Sequence, residues 1–122
     1  MSTIQVRRDI PALPDLVFAT AAEPARLAEW LPEPLTLVGL NDDVLILRWH
    51  DEPHQIRVTA DLDRLRLDWH ALADERCRGS LEVALVGAAG SVAILEMTGP
   101  DDLAATLLEA LAKEVERTFA PG

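Results

Sequence analysis

Apolar and polar residues alternate from Thr3 to Ile10, with Ile4, Val6 and Ile10 in one phase and Thr3, Gln5, Arg7 and Asp9 in the other. A period of two is that of a strand with one buried face. Arg8 interrupts the apolar phase. Pro11 and Pro14 close the strand, and from Asp15 to Ala21 the residues Val17, Phe18 and Ala21 recur at helical spacing before Glu23-Pro24 restarts the chain. A second short helix carries Leu27, Trp30 and Leu31 on its apolar side. Pro32 and Pro34 stop it, because proline disfavours helical geometry in the residue before it. From Leu35 onward the pattern predicts short strands separated by Asn41-Asp42-Asp43, Asp51-Glu52-Pro53, Asp61-Leu62-Asp63, Asp74-Glu75 and Gly87-Ala88-Ala89-Gly90, which read as hairpin turns. A last strand, Ser91 to Thr98, leads through Gly99-Pro100-Asp101-Asp102 into a long helix with Ala104, Leu107, Leu108, Leu111, Val115 and Phe119 along one stripe. Asp101 and Asp102 at its start and Lys113 and Arg117 nearer its end suit the helix dipole. From Asp102 to Phe119 such a helix spans about 27 Å, enough to cross a six- or seven-stranded sheet.

Slipping a strand by one residue turns its whole apolar set over, so the pairing that keeps one face apolar can be sought directly. Leu45, Leu47 and Trp49 face inward beside Val58, Ile56 and His54. Those in turn lie beside Leu67, Trp69 and Ala71, and the next strand offers Leu81, Gly79 and Cys77. Trp69 then stands opposite Gly79, and a glycine in mid-strand leaves room for the indole. On the outer face Arg57 meets Asp68. The order of strand, two short helices, long meander and closing helix is α+β, with a curved antiparallel sheet gripping one helix.

The chain has 122 residues, of which 49% are hydrophobic and 26% charged, so a single domain over residues 1–122 is expected. Eleven basic against twenty-one acidic residues give a net charge of −10, which disfavours phosphate backbones and anionic membrane surfaces as partners. Much of that acidity falls in the turns, where carboxylates bond nearby backbone amides. The one cysteine, Cys77, cannot form an internal disulfide, and no Cys/His spacing suggests zinc. Met1 to Asp9 holds no long apolar run, so neither a signal segment nor a transmembrane helix is expected, and the reading is a cytoplasmic protein.

The opening IQVRRDIPALPDLVFATAAEPARLAEWLP resembles the start of the START/birch-pollen-allergen (SRPBCC) superfamily, through Pro11 to Pro14, Val17-Phe18, Glu23-Pro24 and Trp30. LRLDWHA and LAATLLEALAKEVERTF are similar to that family's mid-sheet strand and closing helix. The resemblance covers nearly the whole chain and is closest to the polyketide cyclase/dehydratase-like and chaperone-ATPase-activator-like branches. It implies a helix-grip fold with a cavity between the sheet and the C-terminal helix. Gly39-Leu40-Asn41 and Gly99-Pro100 depart from the glycine motifs of the activator-like branch, and the chain is short for the family.

A ligand in that cavity would touch Trp30, Trp49, His54, Ile56, Trp69, Leu81, Leu107 and Leu111. The three indoles either stack on a flat hydrophobic ligand or simply fill the core. His54, in the inward phase beside Trp49, is the best single polar contact or general acid/base. His50 falls in a turn and His70 in the outward phase, so no metal site is expected. Arg8 pairs with Glu96, escapes to solvent or binds an anionic ligand head; Glu96 faces inward only if the Gly87 to Gly90 turn has the right length. Cys77 reads as a small core residue rather than a nucleophile. No phosphate loop, dinucleotide fingerprint or nucleophile elbow is present, no cofactor is expected and no catalytic residue is identified. Binding of a small hydrophobic molecule is the first expectation. A cyclase- or dehydratase-type enzyme using His54, Arg8 or Glu96 is the second, and an interaction module for a basic partner the third. The sequence leaves a homodimer open.

Overall fold

The computed structural model describes residues 3–33, 35–74, 76–99 and 101–119. Pro34, Glu75 and Pro100 of the expected punctuation, and the side chains of Asp101 and Phe119, lie outside the described residues.

Strand β1 (Thr3–Ile10) is followed by helices α1 (Pro14–Ala22) and α2 (Pro24–Trp30), each with proline in its first turn, where the missing N–H is not needed. Strands β2 (Leu35–Asn41), β3 (Val44–Trp49), β4 (Glu52–Asp61), β5 (Arg66–Ala71), β6 (Arg78–Val86) and β7 (Gly90–Thr98) then run as an antiparallel meander into α3 (Asp101–Phe119). The sheet has the order β1-β7-β6-β5-β4-β3-β2, so the first strand closes onto the last. This is the expected α+β helix-grip architecture, with α3 against β1, β7 and α1.

Ile10, Val17, Phe18, Leu81, Val83, Ala93, Leu95, Leu108, Leu111 and Val115 make one core between the sheet and these helices. Thr20 and Ser91, the polar residues buried in it, are both satisfied by backbone carbonyls, at Leu16 and Ala12.

The register agrees with the sequence reading on the inward face of the central strands, and on two hairpins it differs in the partner. Leu67 lies opposite Leu81 and Trp69 opposite Gly79, as expected. Leu45 and Leu47, however, pair with Ile56 and His54, and Val58 pairs with Trp69, each two residues from its expected partner. The cause is in the turns. His50 (φ 52°) and Asp51 (φ 65°) both take left-handed geometry, which closes a two-residue hairpin between Trp49 and Glu52. The next turn holds Leu62 to Leu65, with Leu65 left-handed (φ 51°), rather than centring on Leu62. A two-residue shift preserves every side chain's face, but it separates Arg57 from Asp68. Asp68 instead binds Arg66 at 3.1 Å, and Arg57 binds Asp43 at 3.6 Å.

Candidate functional site

The long helix α3 covers only part of the concave face. Over β3, β4 and β5 the inward side chains face a cavity of about 460 Å³, closed on the other side by α2 and by Leu103, Leu107 and Leu111 of α3. Pockets that hold small molecules occupy roughly 300–1,000 Å³.

Eight of the ten sequence-expected contacts line this cavity: Trp30, Trp49, His54, Ile56, Trp69, Leu81, Leu107 and Leu111. Each indole is positioned differently. Trp30 ends α2 and is anchored by its own N–H, which donates to the Thr20 carbonyl at 3.0 Å. Trp49 ends β3 near two imidazoles, its ring centre 5.2 Å from that of His50 and 6.3 Å from that of His54. Trp69 lies against Gly79, where a Cβ would come within 2.6 Å of the indole Cζ2 and 2.9 Å of the Glu96 carbonyl. Glycine there is a condition for the ring's position.

Arg8 and Glu96 are placed elsewhere. The turn between β6 and β7 holds three residues, Gly87 to Ala89, because Val86 pairs with Gly90. That length puts Leu95 and Met97 inward and Glu96 outward, where it accepts a hydrogen bond from Gln5 at 3.3 Å. Arg8 does stay in the inward phase, but α3 meets it there: its guanidinium lies 3.3 Å from Glu109. Of the three fates open to Arg8, pairing holds but with Glu109 instead of Glu96, and neither Arg8 nor Glu96 lines the cavity.

Cys77 corrects a further expectation. Its carbonyl accepts a hydrogen bond from the Ala71 N–H at 2.8 Å, the expected neighbour, but Cys77 stands just before β6, exposed at the cavity rim instead of buried in the core. Its thiol is 3.9 Å from Asp74, whose carboxyl is held below the ordinary range by hydrogen bonds from Arg76. Asp42 and Asp43, which the sequence reading leaves in a turn, also reach the rim. Turn residues carry no periodicity, so nothing in the sequence marks them. Among the described residues no group of three His, Cys, Asp or Glu side chains could hold a metal ion, and no helix is long and apolar enough to cross a membrane.

A curved seven-stranded antiparallel sheet around a C-terminal helix, with two short helices after the first strand, is a helix-grip fold, and solved structures of other proteins share it. Three solved structures make the comparison concrete. The aromatase/cyclase Zhui from Streptomyces sp. R1128 is similar with a TM-score of 0.66 at 16% identity, over 99% of this chain and 98% of that one. A Thermus thermophilus protein is similar with a TM-score of 0.72 at 18% identity, over 98% and 100%. A point mutant of Thalictrum flavum norcoclaurine synthase, in complex with a transition-state analogue, is similar with a TM-score of 0.70 at 12% identity, over 96% and 95%. At such identities the likeness is one of fold. No protein-family model matches the sequence, and no curated protein matches it.

Proposed function

We propose that this protein binds a small hydrophobic molecule in the cavity between its sheet and α3. The carrying observation is the convergence of Trp30, Trp49 and Trp69 on an open space of about 460 Å³. Indoles that merely fill a core leave no such space, and a volume well below about 300 Å³ would have favoured an interaction module instead. Three indoles on one wall suit an aromatic or polycyclic ligand, which gains from both area and ring stacking.

A cyclase-type reaction on the same wall has less support. The sequence reading assigns it His54, Arg8 or Glu96, and only His54 lies on the wall. Native mass spectrometry of freshly purified protein tests the binding reading, with an added mass of one hydrophobic molecule expected. Finding no added mass, together with no thermal shift from a library of aromatic polyketides, flavonoids and lipids, overturns it.

A further inference from the structure

Resting on the binding reading above, we infer that Gly79 sets the depth of the cavity, and that through it the cavity selects flat molecules of three fused rings over single rings.

Trp69 stands between two inward neighbours on adjacent strands, Val58 of β4 and Gly79 of β6, and Gly79 is flanked on its other side by Met97 of β7. A Cβ on Gly79 would lie 2.6 Å from the indole Cζ2 and 2.7 Å from Cε2, with the Glu96 carbonyl oxygen third at 2.9 Å. Those two carbons are bonded neighbours, and a point so close to both in the plane of the ring would be closer still to Nε1. Since Nε1 is not among the three nearest atoms, the contact is with the face of the ring, and the indole lies flat over Gly79. The lining of the cavity agrees: Trp69, Leu81 and Met97 belong to it, and Gly79, beneath the ring, does not. The face of Trp69 turned away from Gly79 is therefore a stacking platform on the cavity wall.

A side chain at position 79 can move that platform in one direction only. The Glu96 carbonyl belongs to the β6–β7 ladder, where Glu96 pairs with Ser80, so the backbone beneath has little room to yield. Carbon atoms in contact sit about 3.5 Å apart, so even a methyl group lifts the ring by about 1 Å, off the sheet and into the cavity. A polycycle stacked between Trp69 and the Leu103 and Leu107 side chains of α3 loses that depth, whereas a single ring can settle elsewhere in a space of about 460 Å³. Glycine weakens a strand, and here the absence of a side chain is what keeps the platform low.

The test compares 2-acetylanthracene with acetophenone, neutral ketones that share one polar group and differ by two fused rings. Dissociation constants are measured by isothermal titration calorimetry on the full chain and on its Gly79→Ala variant. The unchanged chain should bind 2-acetylanthracene at least about tenfold more tightly than acetophenone. Gly79→Ala should weaken 2-acetylanthracene at least about tenfold and acetophenone by less than about threefold. No preference in the unchanged chain, equal losses on the two ketones, or no loss on the larger one each overturn the inference and leave the binding reading standing. In the unchanged chain, NMR should also show through-space contacts between bound 2-acetylanthracene and the Trp69 ring protons. Their absence overturns the inference too, and this arm decides the matter if Gly79→Ala does not fold. If neither ketone binds, the binding reading falls with it.

Discussion

The two halves of this sheet are built from the same kind of strand and are used in opposite ways. Under α1 and α3, Val83 of β6 and Ala93 of β7 are sealed, exposing 3% or less, while Leu81 and Leu95 beside them reach the cavity. On β3 and β4 the inward residues Leu47, Ile56 and Val58 are only half-buried, because what faces them is the cavity. An apolar strand face costs free energy wherever it meets water, so this half-covered one is the wall on which the proposed ligand would gain most. The difference lies in where α3 packs: although long enough to cross the sheet, it lies against β1 and β7 and leaves β3 and β4 to the cavity.

If the sealed half carries stability and the open half carries binding, paired truncations should separate the two. Phe18→Ala, in the sealed half, removes a side chain that is 2% exposed. It should cost about 3–5 kcal/mol in a urea melt. Ile56→Ala, on the open wall, should cost only about 1 kcal/mol while weakening any ligand found. Equal losses of stability would break the comparison.

Gly79→Leu probes the seam between the halves. Its side chain would collide with both the Trp69 indole and the Glu96 carbonyl. Overpacking there should cost roughly 1–3 kcal/mol and shift the tryptophan emission as the ring is displaced. An unchanged midpoint and spectrum would sink the stacking of Trp69 on Gly79.

The smallest effect belongs to Glu114 on α3. A hydrogen bond from Arg117 holds its carboxyl below the ordinary value, with burial opposing and the Arg117 charge assisting. A depressed folded-state value means stability that is present above the ordinary carboxylate range and lost as pH falls through the lowered one. Glu114→Gln should therefore be slightly less stable at neutral pH, by roughly a few tenths of a kcal/mol, with the gap closing in acid. Melts at a series of pH values check this, and a gap that widens in acid would contradict it.

Where a sequence feature constrains a neighbour by bulk, it can be read in advance. Trp69 opposite Gly79 is such a case, because a large ring next to an absent side chain leaves few other registers. The faces of the central strands were legible for the same reason. The partners across the β3–β4 hairpin were not, since His50 and Asp51 adopt left-handed geometry without the glycine that usually announces it. The direction of Glu96 hung on a single residue of turn length. Glu109 as the partner of Arg8 was beyond reach, because it depends on how α3 is rotated against β1. The indoles were visible as candidates, but whether they enclosed space or filled it depended on the placement of α2 and α3.

Because Thr3 pairs with Thr98, the first strand joins the sheet only across most of the chain's length. The hairpins from β2 to β5 join neighbouring segments and close short loops, whereas β1 cannot find β7 until nearly everything between them has been gathered. Closing so long a loop carries more entropy loss and slows the step that needs it. The sealed half, which holds the molecule together at equilibrium, is thus expected to be completed last, and the half that forms the cavity wall first. In refolding experiments, truncation of Ile10 should speed unfolding with little effect on the folding rate, while changes in the β4–β5 hairpin should slow folding.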